Sequence, residues 1–364
     1  PMSALFSPLQ IKDVHFRNRI GISPMCQYSS VEGVANEWHL VHLVSRAIGG
    51  AGLIIAEATA VSPEGRITPS CAGLWQDGQI EPLLRINNLI KQHGAVPAIQ
   101  LGHAGRKASA AAPWDGGAHL ADDQGGWPLI APTDQAFDQD STRLMKAPSM
   151  ISLADIQRIQ QAFVASTLRA LAAGYQMVEL HGAHGYLLHS FFSPLVNRRT
   201  DAYGGDLRGR ARMMLETVEA VRAVWPENLP LAVRLSVSDW TEGGLTVEDN
   251  IQMTRWLLER GVDLVDCSGG GATPAARASI GNHTVKQVGI AGQIRAATGI
   301  KTMAVGEIID AHQAEAIIAS GQADIALIAR QSLRDPYWPA HAAAQLGVPS
   351  KPMMPTQNGF YVGT

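Results

Sequence analysis

The stretch HLVSRAIGGAGLIIAEA, residues 42–58, holds the pattern that decides the fold of this chain. A helical segment ends at glycine, a short apolar run follows, and the polar residue Glu57 stands near the end of that run. Glycine suits a helix C-terminus because it adopts the left-handed backbone conformation at little cost. A nearly continuous apolar run is typical of a parallel strand buried on both faces. The stretch therefore predicts a helix-to-strand unit of an α/β fold.

The same unit recurs along the chain and predicts eight strands. We expect helix-ending glycines at Gly52, Gly94, Gly174, Gly261, Gly299 and Gly321. The predicted strands cover residues 19–23, 53–58, 96–101, 177–180, 231–237, 264–267, 302–305 and 325–329. Alternation of these strands with helices predicts an α/β (β/α)8 TIM barrel with right-handed crossovers. A doubly wound sheet is the competing fold, but the glycine-rich fingerprint that it normally carries after its first strand does not follow Ile22.

Helix start signals support this arrangement. Ser152 with Asp155 and Thr246 with Asp249 resemble capping boxes. Apolar residues then recur near a helical period, which predicts a helix over residues 153–173.

The chain is longer than a bare barrel, so parts of it must lie in additions. A barrel of roughly 250 residues leaves about 110 of the 364 residues to place. The longest addition, residues 106–148, follows the third strand, and we predict that it forms a flap that caps the barrel mouth. Residues 348–364 form a C-terminal tail. Since no linker or repeat divides the sequence, we expect a single domain over residues 1–364.

Composition limits the classes of protein to consider. The chain is 46% hydrophobic and 17% charged with a net charge of −3, which is ordinary for a globular enzyme. The sequence has no Lys/Arg run, so neither nucleic acid nor an anionic membrane is an expected partner. Its apolar runs are far shorter than the ~18 residues of a membrane span. Three scattered cysteines, Cys26, Cys71 and Cys267, argue against a disulfide framework, and we expect a soluble, cytoplasmic protein.

Candidate site residues are those that end or follow the apolar runs, most of them polar, because active sites of TIM barrels lie at the C-terminal ends of the strands. In chain order these are Met25, Cys26, Tyr28, Glu57, Thr59, Gln100, His103, His181, His184, Tyr186, Arg234, Ser268, Gly306, Glu307 and Arg330.

Arg234 and Gln100 lie inside apolar runs and need polar partners. A buried guanidinium requires an anion, which is either a carboxylate (Glu57, Glu179 or Asp239) or a ligand that becomes negative. Gln100 offers an acceptor and two donors in one plane, which suits the edge of a pyrimidine-like ring, although a purely structural glutamine is the commoner case. Gly306 and Arg330 end strands seven and eight, where barrels often bind phosphate.

The segment HGAHGY, residues 181–186, supports more than one chemistry. His181 and His184 could ligate a metal, with Glu57 or Asp239 as a possible third ligand, but the strand ends offer no clear ligand set, and we expect no metal. They could instead donate hydrogen bonds to one carbonyl or nitro oxygen, with Tyr186 as the general acid. Core packing is the third alternative. Cys26 has no neighbouring lysine or histidine, so it is not expected to act as a nucleophile.

These motifs together resemble the old yellow enzyme family, in particular its bacterial xenobiotic reductase and thermophilic-like ene-reductase branch. The matching stretches are RNRI (17–20), PMCQY (24–28), GRIT (65–68), QLGHAGRK (100–107), HGAHGY (181–186), RTDAYGG (199–205) and RDP (334–336). They span nearly the whole chain in the order of the family.

The resemblance implies FMN at the barrel mouth and gives each candidate a role. Gln100 would hydrogen-bond the pyrimidine edge of the flavin, and Arg234 would face its N1 and O2 atoms. His181 and His184 would bind the substrate oxygen, and Tyr186 would protonate carbon. The flavin ring would be held by Pro24, Met25, Cys26 and Ala58. The FMN phosphate would be bound by Gly306, Ala329 and Arg330. The reactivity of flavin and substrate would be tuned by Cys26 and Tyr28.

The resemblance also implies a reaction. NAD(P)H would deliver hydride to the flavin and leave, after which an activated alkene would take hydride from N5 and a proton from the protein. Its expected substrates are α,β-unsaturated carbonyl and nitro compounds, with nitro and nitrate-ester xenobiotics as a further class.

One departure from the family concerns the tail. In parts of this branch, C-terminal aromatic and arginine residues of a neighbouring subunit complete the site. Here QNGFY, residues 357–361, lacks that arginine, and Phe360 or Tyr361 would have to substitute for it. A homo-oligomer and a site shared between its subunits therefore both stay open.

Two other classes stay open at this point. The first is a metal-dependent TIM-barrel hydrolase that uses His181 and His184. The second is an FMN barrel reductase with an iron–sulfur cluster, which three scattered cysteines disfavour.

Overall fold

The computed structural model describes residues 2–364, apart from the side chains of residues 276–283. Its strands are β1 (Leu9–Ile11), β2 (Val14–Phe16), β3 (Ile20–Ile22), β4 (Leu53–Ala60), β5 (Val96–Gly102), β6 (Ile130–Ala131), β7 (Ser149–Met150), β8 (Met177–Gly182), β9 (Leu231–Ser236), β10 (Leu264–Ser268), β11 (Lys301–Ala304) and β12 (Ile325–Ile328). Its α-helices are α1 (Glu37–Ile48), α2 (Ile80–Gln92), α3 (Leu153–Ala172), α4 (Leu187–Phe192), α5 (Leu207–Val224), α6 (Val247–Glu259), α7 (Pro274–Thr298), α8 (Ala311–Ala319), α9 (Arg330–Arg334), α10 (Trp338–Gln345) and α11 (Thr356–Val362).

Eight parallel strands close into a barrel in the order β3-β4-β5-β8-β9-β10-β11-β12, with β12 paired to β3. Each of the eight predicted strands is present, and every predicted end lies within two residues of the observed one. The prediction of a (β/α)8 TIM barrel is therefore confirmed. Because the strands are parallel, their C-terminal ends meet at one mouth of the barrel.

The antiparallel hairpin β1–β2 closes the opposite end of the barrel. Val14 and Phe16 of the hairpin pack in one apolar cluster with Leu53 and Val96, residues at the starts of β4 and β5. Burial of this cluster leaves the C-terminal mouth as the accessible end. The first residues of the chain thus stabilise the barrel floor.

The helices pack around the barrel through the apolar faces that the sequence predicts. The predicted helix over residues 153–173 is α3, in which Ile159 and Phe163 are fully buried. Thr246 and Asp249 form a reciprocal capping box, as expected. At Ser152 only half of the expected box is present, because Ser152 accepts from the Asp155 N–H without the return bond.

Five of the six predicted helix-ending glycines have a left-handed backbone, with φ between 76° and 84° at Gly94, Gly174, Gly261, Gly299 and Gly321. The prediction for Gly52 is wrong. Gly50 takes the left-handed conformation after α1, with φ 111°. Gly52 is required for a different reason, because a Cβ atom there would lie 2.8 Å from the Asn18 carbonyl oxygen.

The segment of residues 106–148 follows β5 and is held to loops at the barrel mouth. The Trp127 indole N–H donates to the carbonyl of Glu64, after β4, at 2.9 Å. Arg106 donates to the carbonyls of Gln135 and Ala272 at 3.0 Å each, and Ala272 follows β10. Within the described residues, no helix is both long and apolar enough to cross a membrane.

Candidate active site

A cavity of about 390 Å3 opens at the C-terminal mouth of the barrel. Its volume lies in the range of about 300–1,000 Å3 that is usual for ligand pockets. The predicted site residues among its lining are Pro24, His184, Arg234, Ser268, Gly306, Glu307, Ala329 and Arg330. The ends of β3, β9, β10, β11 and β12, together with the loop after β8, therefore bring these residues together.

One end of the cavity is suited to an anion. Gly306 follows β11 with φ 135°, and a Cβ atom there would lie 2.4 Å from the Thr284 carbonyl oxygen. Arg330 and Arg334 of α9 line the same cavity. A guanidinium can donate two parallel hydrogen bonds to phosphate oxygens, so this end has the chemistry of a phosphate site.

Arg234 lies on the cavity wall and is also held by a carboxylate. Its Nε donates to Asp266 Oδ2 at 2.6 Å, and its Nη2 donates to Ser23 Oγ at 2.9 Å. The Glu179 carboxylate lies 3.8 Å from Nε. Of the expected partners only Glu179 is nearby. The β9–β10 register instead places Asp266 directly beside Arg234.

The other two alternatives for the partner of Arg234 lie elsewhere. Glu57 stands on β4 near His39, and Asp239 pairs with His189. Neither residue lies at the β9–β10 position that faces Arg234. Arg234 thus forms a structural ion pair and also lines the cavity. A structural role and a ligand-binding role of Arg234 are therefore compatible.

Gln100 joins the same buried polar layer. Its amide N–H donates to Glu179 Oε2 at 2.8 Å. Burial and the neighbouring Asp266 raise the pKa of Glu179 well above its usual value, although Arg234 acts the other way. The Glu179 carboxyl thus lies between Gln100 and the ion pair of Arg234 with Asp266. The structural reading of Gln100 thus has a partner, and its flavin contact stays a prediction.

The two histidines and the tyrosine after β8 are brought together as predicted. The His181 ring lies 5.2 Å from the His184 ring and 4.9 Å from the Tyr186 ring, measured between centroids. Burial lowers the pKa values of His181 and His184 well below the usual value, and Arg234 adds to the effect. Both rings are therefore neutral near neutral pH.

The hydrogen bonds of these rings indicate where their protons are. His181 Nδ1 accepts from the Ala183 N–H at 3.2 Å, so the ring proton is on Nε2, which can donate. His184 Nε2 lies 2.6 Å from Ser268 Oγ. Its backbone N–H donates to Ser236 Oγ at 3.0 Å. The ring thus has a fixed neighbour on β10.

Lys107 is a charged residue of this site whose position the sequence did not predict. Its ammonium donates to the carbonyls of His184 at 2.7 Å and Gly271 at 3.1 Å. It also lies 5.2 Å from the centroid of the Tyr186 ring. A cation at this distance stabilises the negative charge that a phenol acquires when it gives up a proton. The only sequence signal was its place in the stretch 100–107.

The segment after β3 lines the other side of the mouth. Burial raises the pKa of the Cys26 thiol well above its usual value, which agrees with a cysteine that is not a nucleophile. Tyr28 has a left-handed backbone with φ 49°, and its ring meets Trp114 of the 106–148 segment at 5.5 Å. Trp114 was not predicted as a site residue. Met25 packs against the main core.

Ala58 contributes to a second, much smaller cavity next to the histidines. His181 and Tyr186 line it together with Ala58, Ile67 and Cys71. Among the residues that the structure describes, no group of three His, Cys, Asp or Glu side chains could hold a metal ion. The geometry therefore gives the metal-dependent hydrolase no support.

Known proteins resemble this chain over nearly its whole length. Residues 4–348 match the model of the NADH:flavin oxidoreductase / NADH oxidase family. The chain is 43% identical to an NADPH dehydrogenase of Bacillus licheniformis over 344 residues, which cover 94% of each protein.

Solved structures share the fold. Morphinone reductase in complex with tetrahydroNAD superposes with a TM-score of 0.76 at 25% identity, over 94% of this chain and 90% of that one. An old yellow enzyme homologue from Zymomonas mobilis gives 0.77 at 23% identity, over 94% and 92%.

Proposed function

The chain belongs to the NADH:flavin oxidoreductase / NADH oxidase family, with relatives of the old yellow enzyme type, and we propose that it acts as an ene-reductase. As a member it is an FMN-dependent oxidoreductase that uses a nicotinamide as hydride donor. The proposal concerns its acceptors, which are activated carbon–carbon double bonds. One observation carries it: a neutral imidazole that can donate from Nε2, His181, lies beside a phenol, Tyr186.

The residues at the barrel mouth suit FMN. Arg330 and Arg334, with the close backbone approach at Gly306, would hold the phosphate. Arg234 would face the polar edge of the ring from the cavity wall, and Gln100 lies next to it in the buried layer. Pro24, Met25, Cys26, Ala58 and Ala329 would complete the binding surface. Asp266 keeps Arg234 charged and in place.

Bound FMN supplies the hydride, and the protein supplies binding and the proton. His181, with His184 beside it, would donate a hydrogen bond to the carbonyl or nitro oxygen of the acceptor. This bond draws electrons from the double bond, so that its β-carbon accepts hydride. Tyr186 would give its hydroxyl proton to the α-carbon, and Lys107 would stabilise the charge left on the phenol oxygen.

The acceptor class follows from the hydrogen-bonding pair. Two neutral imidazoles recognise one oxygen that becomes negative, as in enones, maleimides and nitroalkenes, and the same donors suit nitro and nitrate-ester groups. NADPH is the proposed donor, in line with the name of the Bacillus licheniformis relative. We propose that donor and acceptor use the same face of the flavin in turn.

We also propose that residues 106–148 form the cap of this site within a single domain over residues 1–364. The contact of Trp114 with Tyr28 supports it, because it places a residue of the segment on a site residue. The tail, residues 348–364, exposes Phe360 and Tyr361 at 73% and 83%. A homo-oligomer that covers this tail, and a cytoplasmic location, stay predictions.

Separate measurement of the two half-reactions tests the function. In Tyr186→Phe we expect alkene reduction to slow by about 10²–10⁴-fold, the usual contribution of a general acid, while flavin reduction by NADPH is nearly unchanged. Tyr203→Phe is the matched control, since Tyr203 donates to Glu216 at 2.6 Å away from this site. Equal slowing of both half-reactions, or a wild-type protein that does not reduce enones with NADPH, would contradict the proposal.

A further inference from the structure

A buried histidine–carboxylate pair lies directly behind the turn that carries His184 and Tyr186. His189 of α4 and Asp239, after β9, are both fully buried. The ring Nε2 lies 2.9 Å from Asp239 Oδ1. On its other side, Nδ1 accepts from the backbone N–H of Gly185 at 2.8 Å. No role in binding or proton transfer explains this pair, because it faces backbone and core.

The contacts fix the tautomer of His189. The Gly185 N–H can only donate, so Nδ1 must present its lone pair, and the ring proton is on Nε2. That proton is donated to Asp239 Oδ1. The second oxygen of Asp239 accepts from Ser193 Oγ at 2.7 Å and from the Leu245 N–H at 2.8 Å. Every polar atom of the pair thus has a defined partner.

The backbone that this pair holds is a left-handed turn. His184 has φ 63°, in a region that residues other than glycine occupy uncommonly and at a cost, and Gly185 follows with φ 75°, which glycine adopts freely. A Cβ atom on Gly185 would lie 2.1 Å from the Gly271 carbonyl oxygen. Such a turn persists only where surrounding bonds determine it. The bond from His184 N to Ser236 Oγ fixes one side, and the bond from Gly185 N to His189 fixes the other.

We propose that His189 and Asp239 are positioning residues, which hold the left-handed turn at Gly185 and so aim His184 and Tyr186 at the acceptor. The inference rests on the proposed function for the roles of His184 and Tyr186. The pair touches no substrate. A protonated His189, or one with its proton on Nδ1, would direct an N–H at the N–H of Gly185 and release the turn.

The tautomer can be measured without any activity. In 15N-histidine-labelled, flavin-loaded protein, we expect the His189 nitrogens to report a bare Nδ1 and a protonated Nε2 with a downfield, slowly exchanging proton. Loss of these signals in His189→Asn assigns them. A protonated Nδ1, or a doubly protonated ring at neutral pH, would overturn the proposal.

Variants test the positioning itself. His189→Asn keeps an acceptor for the Gly185 N–H, whereas His189→Leu removes it. We expect the Leu variant to lose on the order of 10²-fold in the alkene half-reaction, as for a misplacement of about 1 Å, and the Asn variant to recover most of that loss. Leu188→Ala is the control, since Leu188 is a buried neighbour in α4 that belongs to the apolar core.

The outcomes separate this inference from the proposed function. Equal rates in the Asn and Leu variants, or an equal loss in Leu188→Ala, would refute positioning. A wild-type protein without alkene reduction would refute the ene-reductase proposal, whatever the tautomer of His189.

Discussion

Replacement of Glu57 by glutamine should change how the stability of the protein depends on pH. Glu57 is 6% exposed on β4 and accepts only a long hydrogen bond, 3.3 Å, from the Gln27 N–H. The nearest histidine, His39, lies 3.7 Å from its other oxygen. His39 Nδ1 accepts from the Asn36 N–H at 3.0 Å, and burial lowers the pKa of the ring, so it brings no positive charge. Among the side chains that the structure describes, Glu57 is therefore a buried carboxylate without a cation.

The size of the effect follows from the shift in pKa. Burial raises the pKa of Glu57 from 4.5 to about 7, although the bond from Gln27 acts the other way. At ~1.36 kcal/mol per unit, this shift corresponds to about 3 kcal/mol. Because the pKa is higher in the folded state, the stabilisation is complete below the unfolded value and is lost as pH rises through the folded value. Glutamine has the same shape but no proton to lose.

Urea unfolding of both proteins from about pH 5 to about pH 8 measures this difference. We expect Glu57→Gln to gain up to about 3 kcal/mol relative to the wild type across that range, because other titrating groups cancel in the comparison. Glu37→Gln removes an exposed carboxylate that pairs with Arg85, and it should show little change. Parallel curves for the wild type and Glu57→Gln would refute the reasoning.

Three further predictions concern the ligand site. Arg234→Met should destabilise the protein by roughly 3–5 kcal/mol, because Asp266 is left buried without its partner. In urea unfolding, the double variant with Asp266→Asn should recover stability, but its affinity for flavin should stay low. Recovery of both stability and flavin affinity would mean that Arg234 has no ligand role. Arg330→Ala should weaken FMN binding by about 10–100-fold, which corresponds to the free energy of one charged hydrogen bond. Flavin fluorescence titration measures this change, and an unchanged Kd would place the phosphate elsewhere. His181→Ala should weaken binding of a phenol to the oxidised enzyme in a spectral titration while His119→Ala does not, and identical titrations would remove the oxygen-binding role.

The barrel could be predicted from the sequence because its signals are local. Each strand is an apolar run set between a glycine and a polar residue, and neither feature depends on distant contacts. The failure at Gly52 has the opposite cause. Its glycine is required by the approach of Asn18, which lies more than thirty residues earlier in the chain, so the sequence around Gly52 could not distinguish it from a helix-ending residue.

The partners of Arg234 show the same limit within the site. An arginine inside an apolar run predicts that an anion is near, but only the register between β9 and β10 decides that the anion is Asp266. A signal was present in the sequence, since Asp266 interrupts the apolar run 264–267 just as Arg234 interrupts its own. Opposite charges inside two strands that are adjacent in a predicted barrel indicate an ion pair between those strands.

The tautomer of three histidines near the barrel mouth is set by nearby backbone N–H groups, whose direction the sequence does not show. Ring Nδ1 atoms of His181, His189 and His103 each accept a backbone N–H, from Ala183, Gly185 and Gly105 respectively. An Nδ1 that accepts a backbone N–H presents its lone pair, so in each of these rings the backbone selects the tautomer with the proton on Nε2. For His189 this leaves Nε2 as a donor to Asp239, and for His181 it would leave Nε2 as the proposed donor to the acceptor oxygen. Under the two proposals, the same local arrangement would serve binding in one histidine and positioning in the other, and the difference would lie in what each Nε2 faces.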